Sequence, residues 1–89
     1  MKLTKRVFAG TMESSDAYVE MEPKENGISL QVDSVVEAQF GDQIRASILD
    51  VLEKHGVKNA MVRVVDKGAL DCVIRARVET AVLRGKEEA

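Results

Sequence analysis

The sequence is poor in the residue types from which most catalytic and metal sites are built. Its 89 residues include one histidine, one cysteine, one proline and no tryptophan. A single cysteine excludes an internal disulfide and a multi-cysteine metal site, and a single histidine excludes a histidine pair that holds zinc. We therefore expect neither a metal site nor a catalytic set.

Aromatic residues and positive charge are also in short supply. Phe8, Tyr18 and Phe40 are the only aromatic residues, and the formal net charge is -2. Few aromatics argue against a base-stacking platform, and the charge argues against the basic face of a nucleic-acid binder. The six glycines are dispersed and form no phosphate-binding loop. Nucleic acid is not an expected partner.

No apolar run approaches the about 18 residues that a membrane span needs, and residues 1–7 lack the apolar core of a signal peptide. The hydrophobic share of 45% and the charged share of 31% are typical of a globular chain. We expect one cytoplasmic domain over residues 1–89 with a frayed tail at about 86–89, and no membrane partner.

The apolar periodicity predicts an α+β fold. Alternation predicts strands at residues 6–12, 17–22, 28–33 and 61–65, whereas helical spacing predicts one helix between Ser34 and Gly56 and another over residues 70–85. We expect a two-layer sandwich, βββαβα, with both helices on one side of the sheet. A crossover through the first helix would make the third and fourth strands parallel.

Ser34 has two possible roles. With Glu37 it fits a capping box at the start of the first helix. Asp33-Ser34-Val35 also resembles the attachment motif of the common phosphopantetheine carriers, but those carriers are four-helix bundles and this chain is half strand. We favour the structural role.

Other candidates for chemistry have simple structural interpretations. His55 is expected in the last turn of the first helix, where the dipole favours a positive charge. Cys72 is interpreted as a small buried hydrophobe, because the neighbouring Asp71 opposes thiolate formation. Glu20 and Glu22 are expected on a solvated sheet face rather than in a carboxylate site.

Ser14 and Ser15 lie at the tip of a predicted hairpin, between the first and second strands. A tip suits covalent attachment, since the hydroxyl stands clear of the core and a modifying enzyme can enclose it. Position alone does not choose between the two serines.

Residues 10–16, GTMESSD, strongly resemble the segment around the modified serine of the citrate lyase acyl carrier protein family, the gamma chain. Residues 66–72, DKGALDC, residues 75–77, RAR, and residues 39–41, QFG, are similar to the same family in order and spacing. Met12 departs from the leucine that is common there.

The resemblance implies that Ser14 carries 2'-(5''-phosphoribosyl)-3'-dephospho-CoA through a phosphodiester, installed by a prosthetic-group transferase. It implies that Glu13, Ser15 and Asp16 help that transferase to recognise the hairpin. The arm's thiol would be acetylated, the alpha subunit would exchange acetyl for citryl, and the beta subunit would release oxaloacetate. The chain itself would be a non-catalytic carrier.

Three alternatives stay open. In the first, the chain is the carrier subunit of citramalate lyase or of malonate decarboxylase, whose carriers it also resembles, the second less closely. An unmodified interaction module predicts that Ser14 is dispensable. A small enzyme acting through Cys72 is the weakest alternative, since nothing in the sequence supplies a base for that thiol.

Overall fold

A computed structural model describes residues 3–86 of the chain. Its elements are β1 (Val7–Gly10), β2 (Ala17–Pro23), β3 (Ile28–Ser34), α1 (Glu37–Lys54), β4 (Ala60–Asp66) and α2 (Asp71–Gly85). The predicted α+β class and the order βββαβα are confirmed. Within residues 3–86, neither α1 nor α2 is long and apolar enough to cross a membrane.

The four strands form one mixed sheet in the order β1-β2-β4-β3. β1 pairs with β2 and β2 with β4 in antiparallel fashion, whereas β3 and β4 are parallel. This confirms the predicted parallel pairing of the third and fourth strands. The two strands can run in the same direction because α1 carries the chain back across the sheet between them. β4 separates β2 from β3, which follow each other directly in the sequence.

The core lies between one face of the sheet and both helices, as predicted. Inward side chains alternate along β2 as Ala17, Val19 and Met21, all fully buried. The helices meet them with one apolar stripe each, and its members are Ile44, Ile48, Val51, Leu52, Ile74, Val78, Ala81 and Val82. Each fully buried valine, leucine or isoleucine contributes about 1.5–3 kcal/mol. The result is a two-layer sandwich that leaves the other sheet face in water.

The start of α1 differs from the prediction. Ser34 is the last residue of β3, and α1 begins at Glu37 without any side-chain cap. The Ser34 hydroxyl donates to Oδ2 of Asp66 at 2.8 Å and accepts from the Val36 N–H at 3.1 Å. The predicted capping box was wrong, because the Ser34 hydroxyl is hydrogen-bonded to Asp66 on the neighbouring strand β4 and does not cap α1.

The ends of the other elements are close to those predicted. His55 follows the last residue of α1, and Gly56 takes the left-handed conformation expected of a helix stop, with φ 69. At the predicted tail, Lys86 forms a β-bridge with Leu3. Residues 87–89 lie outside the described residues.

Candidate functional site

Ser14 lies at the apex of the connection between β1 and β2. The Asp16 N–H donates to the Glu13 carbonyl at 3.2 Å, which closes a four-residue turn with Ser14 and Ser15 at its centre. Ser15 has φ 64, a left-handed conformation that is uncommon for residues other than glycine. A positive φ at the third position is the type II pattern. Both serines are exposed.

The two serines differ in how they are held. Among residues 3–86 no hydrogen bond involves either the hydroxyl or the main chain of Ser14. The main chain of Ser15, in contrast, is fixed by its N–H, which donates to the Lys67 carbonyl at 2.9 Å. Ser14 is thus held only through its chain neighbours, and its hydroxyl is exposed.

Asp16 fastens the turn to the body of the molecule. Nε and Nη2 of Arg77 donate to its two carboxylate oxygens, each at 3.0 Å, in a bidentate pair. The Thr11 hydroxyl donates to Oδ2 at 2.7 Å, and the Ala17 N–H donates to Oδ1 at 2.7 Å. The side chain is only 14% exposed.

The surroundings of Asp16 favour its charged form. Its pKa falls from 3.8 to about 2, first because Arg77 donates to the carboxylate and then because Thr11 does. The carboxylate therefore stays ionised at physiological pH, and its charge is available to the ion pair with Arg77, which we call the brace.

The loop after β4 supports the same turn from the side. The Lys67 N–H donates to the Asp16 carbonyl at 2.9 Å, next to the bond from Ser15 to Lys67. These two bonds extend the β2–β4 ladder beyond its last register pair, Ala17 with Asp66. The turn is therefore anchored by β4 and by α2 as well as by its own strands.

Gly10 is required where β1 enters the turn. It has φ 85, and a Cβ atom there would lie 1.9 Å from the Ala17 carbonyl oxygen and 3.1 Å from Cδ of Arg77. Only glycine allows the two strands to approach this closely.

Sequence reasoning placed Ser14 and Ser15 correctly at the tip of the hairpin but missed the residues that hold the turn. Thr11 lies within the segment that carries the family resemblance, and Arg77 lies in the RAR segment. Thr11 is only five positions from Asp16, but the pairing of Arg77 with Asp16 has no local signal, because these two residues are 61 positions apart.

Within residues 3–86, the structure does not assemble a second site around Cys72. This thiol is exposed, contrary to the buried interpretation. Cys72 lies two residues before the buried Ile74, which is about 200° around the helix, so it faces away from the core. His55 lies 3.6 Å from Glu79, about 10 Å along α2 from Cys72.

The acidic pair lies on the open sheet face, as expected. Glu20 pairs with Arg6, which lowers the pKa of the Glu20 carboxyl, and Arg63 lies 3.7 Å away. Glu22 lies 3.7 Å from Arg6. Across residues 3–86, no three histidine, cysteine or acidic side chains form a group that could hold a metal ion.

Comparison with known sequences finds one family model and several curated relatives. The model of the family described as malonate decarboxylase delta subunit (MdcD) matches residues 4–85. A citrate lyase acyl carrier protein from Vibrio cholerae is 54% identical over 85 residues, which cover 94% of this chain and 87% of that protein. One from Haemophilus influenzae is 48% identical over 89 residues, which cover 100% and 93%.

A solved structure shares the fold. It is the crystal structure of a Pseudomonas malonate decarboxylase hetero-tetramer in complex with malonate, and one of its chains aligns with a TM-score of 0.69. The alignment covers 97% of this chain and 89% of that one at 22% identity.

Proposed function

The chain belongs to the family of citrate lyase acyl carrier proteins and malonate decarboxylase delta subunits, and on that premise we propose that it is the carrier subunit of citrate lyase, modified on Ser14. The relatives are named as carriers, and this is a non-catalytic role. The proposed overall reaction of the complex is the cleavage of citrate to acetate and oxaloacetate.

The observation that carries the proposal is the exposed Ser14 hydroxyl, which makes no hydrogen bond within the described residues. A phosphodiester needs a serine oxygen that is free to attack and has space for a large substituent. Ser14 meets both conditions. The exposed Ser15 hydroxyl also makes no hydrogen bond within the described residues, and Ser14 is preferred to it on the family resemblance. Ser34, the third serine considered, is half-buried and its hydroxyl is bonded to Asp66 and Val36.

The proposed group is 2'-(5''-phosphoribosyl)-3'-dephospho-CoA, and when attached it supplies the thiol that carries the acyl substrate. For attachment, the Ser14 oxygen attacks the innermost phosphorus of a triphosphoribosyl precursor. The new bond is P–O to serine, pyrophosphate leaves, and the serine proton passes to a base of the transferase.

The other residues of the turn act by holding and presenting Ser14. Asp16 fixes the turn through Arg77, so its part in recognition is to preserve the shape that the transferase encloses. Glu13 and Ser15 have exposed side chains beside Ser14 and are proposed as direct recognition contacts. A stiff base matters because a short tether keeps its cargo at about millimolar local concentration near each partner site.

The proposed partners are the alpha and beta subunits of citrate lyase and the prosthetic-group transferase. We place the complex in the cytoplasm, where the exposed, unpaired Cys72 would stay reduced. One domain over residues 1–89 is sufficient for this role.

Intact mass and peptide mapping test the attachment, after co-expression with the prosthetic-group transferase of the same source. We expect the adduct on the peptide that holds Ser14, complete loss in Ser14→Ala, and retention in the matched control Ser15→Ala. An adduct that persists in Ser14→Ala, or a phosphopantetheine adduct on Ser34, contradicts the proposal.

The carrier of malonate decarboxylase is a second candidate, because the matching family model is described by that subunit. Reconstitution separates the two. The loaded carrier is expected to restore citrate cleavage to carrier-free citrate lyase subunits and to leave carrier-free malonate decarboxylase inactive, since the citrate lyase carriers are far more similar in sequence.

A further inference from the structure

An apolar cleft opens between the first turns of the two helices. Its walls are formed mainly by hydrophobic side chains, with Val36, Phe40 and Ile44 on one side and Ala69, Leu70 and Ile74 on the other. Its volume is about 210 Å³, more than the about 150 Å³ that holds a benzene ring in a protein interior.

Both carboxylates that line the cleft are already hydrogen-bonded, and its remaining polar residue, Gln43, is exposed to solvent. Asp66 accepts hydrogen bonds from Ser34 and from the Ala69 N–H at 2.8 Å each. Asp71 accepts from Ser47 and from Arg75. With these carboxylates engaged, the space suits an apolar side chain rather than a charged ligand.

Three hydrophobic side chains at the rim of the cleft are exposed to solvent. Leu70 is 72% exposed, Val35 is 65% exposed and Phe40 is 46% exposed. Val35 flanks the loop after β4, since its N–H donates to the Asp66 carbonyl and its Cγ2 lies 3.9 Å from the Cβ position of Gly68. We call these three side chains and the cleft they border the docking face.

The docking face is close to the attachment serine. Ser15 touches Lys67 through a 2.9 Å hydrogen bond, and three Cα steps separate Lys67 from Leu70. Ser14 and Leu70 are therefore at most about 20 Å apart. A standard protein interface covers about 800 Å² on each partner, which is about 30 Å across. One bound protein can cover both.

We propose that the docking face binds the transferase that modifies Ser14, and that the cleft takes an apolar side chain of that enzyme. This rests on the proposed function. The chemistry selects the transferase, because it acts on the serine hydroxyl itself and must contact the surface around it. The alpha and beta subunits act on the thiol that the group carries and not on the serine, so their chemistry does not require contact with this surface.

Leu70→Ser tests the proposal without threatening the fold. Leu70 is the N-cap residue of α2 and has no capping side chain, and serine is among the preferred residues at that position. Thermal unfolding is therefore expected to show equal or higher stability. Val35→Ser is a second variant at the docking face.

The measurement is the initial rate of adduct formation by intact mass, with purified transferase and increasing carrier concentration. For Leu70→Ser we expect KM to rise about tenfold, as for loss of an interface anchor, with kcat nearly unchanged. The matched control is Leu83→Ser, which removes a 51% exposed leucine from the other end of the same helix and is expected to leave KM unchanged.

An unchanged KM in both rim variants overturns the proposal. So does a normal KM for the transferase together with slower turnover in the reconstituted complex, because the docking face would then serve the alpha or beta subunit. Absence of any adduct on the unmutated chain would instead remove the proposed function on which the inference rests.

Discussion

The two turns that border β2 differ in how they are held, although both are short, polar and exposed. The turn with Ser14 is tied to the loop after β4 through Lys67 and to α2 through Arg77. The turn that ends at Gly27 is tied only at that residue, through Asn59 and Ala60. Lys24, Glu25 and Asn26, all within the described range, make no hydrogen bond. Bracing thus accompanies the proposed site and is no general property of turns in this fold.

A glycine exchange in each turn gives the largest contrast. Gly27 has φ 78 but nothing lies within 4 Å of its Cβ position, so Gly27→Ala should cost only the left-handed strain of about 1–2 kcal/mol. Gly10→Ala adds a clash with the Ala17 carbonyl and should cost about 3 kcal/mol or more. Denaturant unfolding of both variants measures the difference, and equal losses would refute the close approach at Gly10.

Removal of the Arg77 brace should have a smaller effect. Arg77→Ala leaves the Asp16 carboxylate without its bidentate partner, and a loss of about 1–2 kcal/mol in unfolding free energy is expected for a half-exposed pair. Hydrogen exchange at the Ser15 and Lys67 amides should rise. The control Arg63→Ala removes an arginine 3.7 Å from Glu20 on the open sheet face and should change stability by less than about 0.5 kcal/mol.

Should exchange at Ser15 and Lys67 rise equally in both arginine variants, the brace would not be specific to Arg77. Adduct formation on Ser14 provides a second readout. It is expected to slow in Arg77→Ala and to be unchanged in Arg63→Ala.

Acid should weaken the same brace. The pKa of Asp16 is about 2 in the folded chain and 3.8 ordinarily, so its carboxylate stabilises the fold fully above about pH 4, and this contribution is lost as pH falls towards 2. The variant Asp16→Asn lacks the stabilisation by this carboxylate at every pH. The stability gap between the two proteins should therefore shrink by about 1 kcal/mol from pH 4 to pH 2. Urea unfolding across this range measures it, and a constant gap would contradict the lowered pKa.

Local patterns were sufficient for most of the fold. Alternation along residues 17–22 and helical spacing from Phe40 to Leu52 each reflect one buried face, which a sequence displays directly. Gly56 marked the end of α1 for a similar reason, since a left-handed residue is a local requirement.

The start of α1 shows where local patterns fail. Ser34 and Glu37 have the spacing of a capping box, but the hydroxyl of Ser34 bonds to Asp66, 32 positions away. Nothing in the residues near Ser34 indicates that β4 will place a carboxylate beside it.

The candidate site was predicted only in outline. The tip position of Ser14 and Ser15 follows from the polar break between two alternating segments, and the preference for Ser14 came from the family resemblance. The brace from Arg77, the support from Lys67 and the apolar cleft beside Leu70 all arise from tertiary packing. The hydrophobic periodicity of one segment does not indicate which other segment it will contact.

The insertion of β4 between β2 and β3 also governs when the attachment point comes into being. A growing chain makes β1 and β2 first, yet β2 gains its second neighbour only when β4, the fifth of six elements, has been synthesised. The Arg77 contact comes later still. Ser14 is therefore translated early, but the turn that holds it gains its tertiary contacts only after almost the whole domain has folded. For the proposed attachment at Ser14, the strand order means that the braced turn exists only once nearly the whole domain has been made.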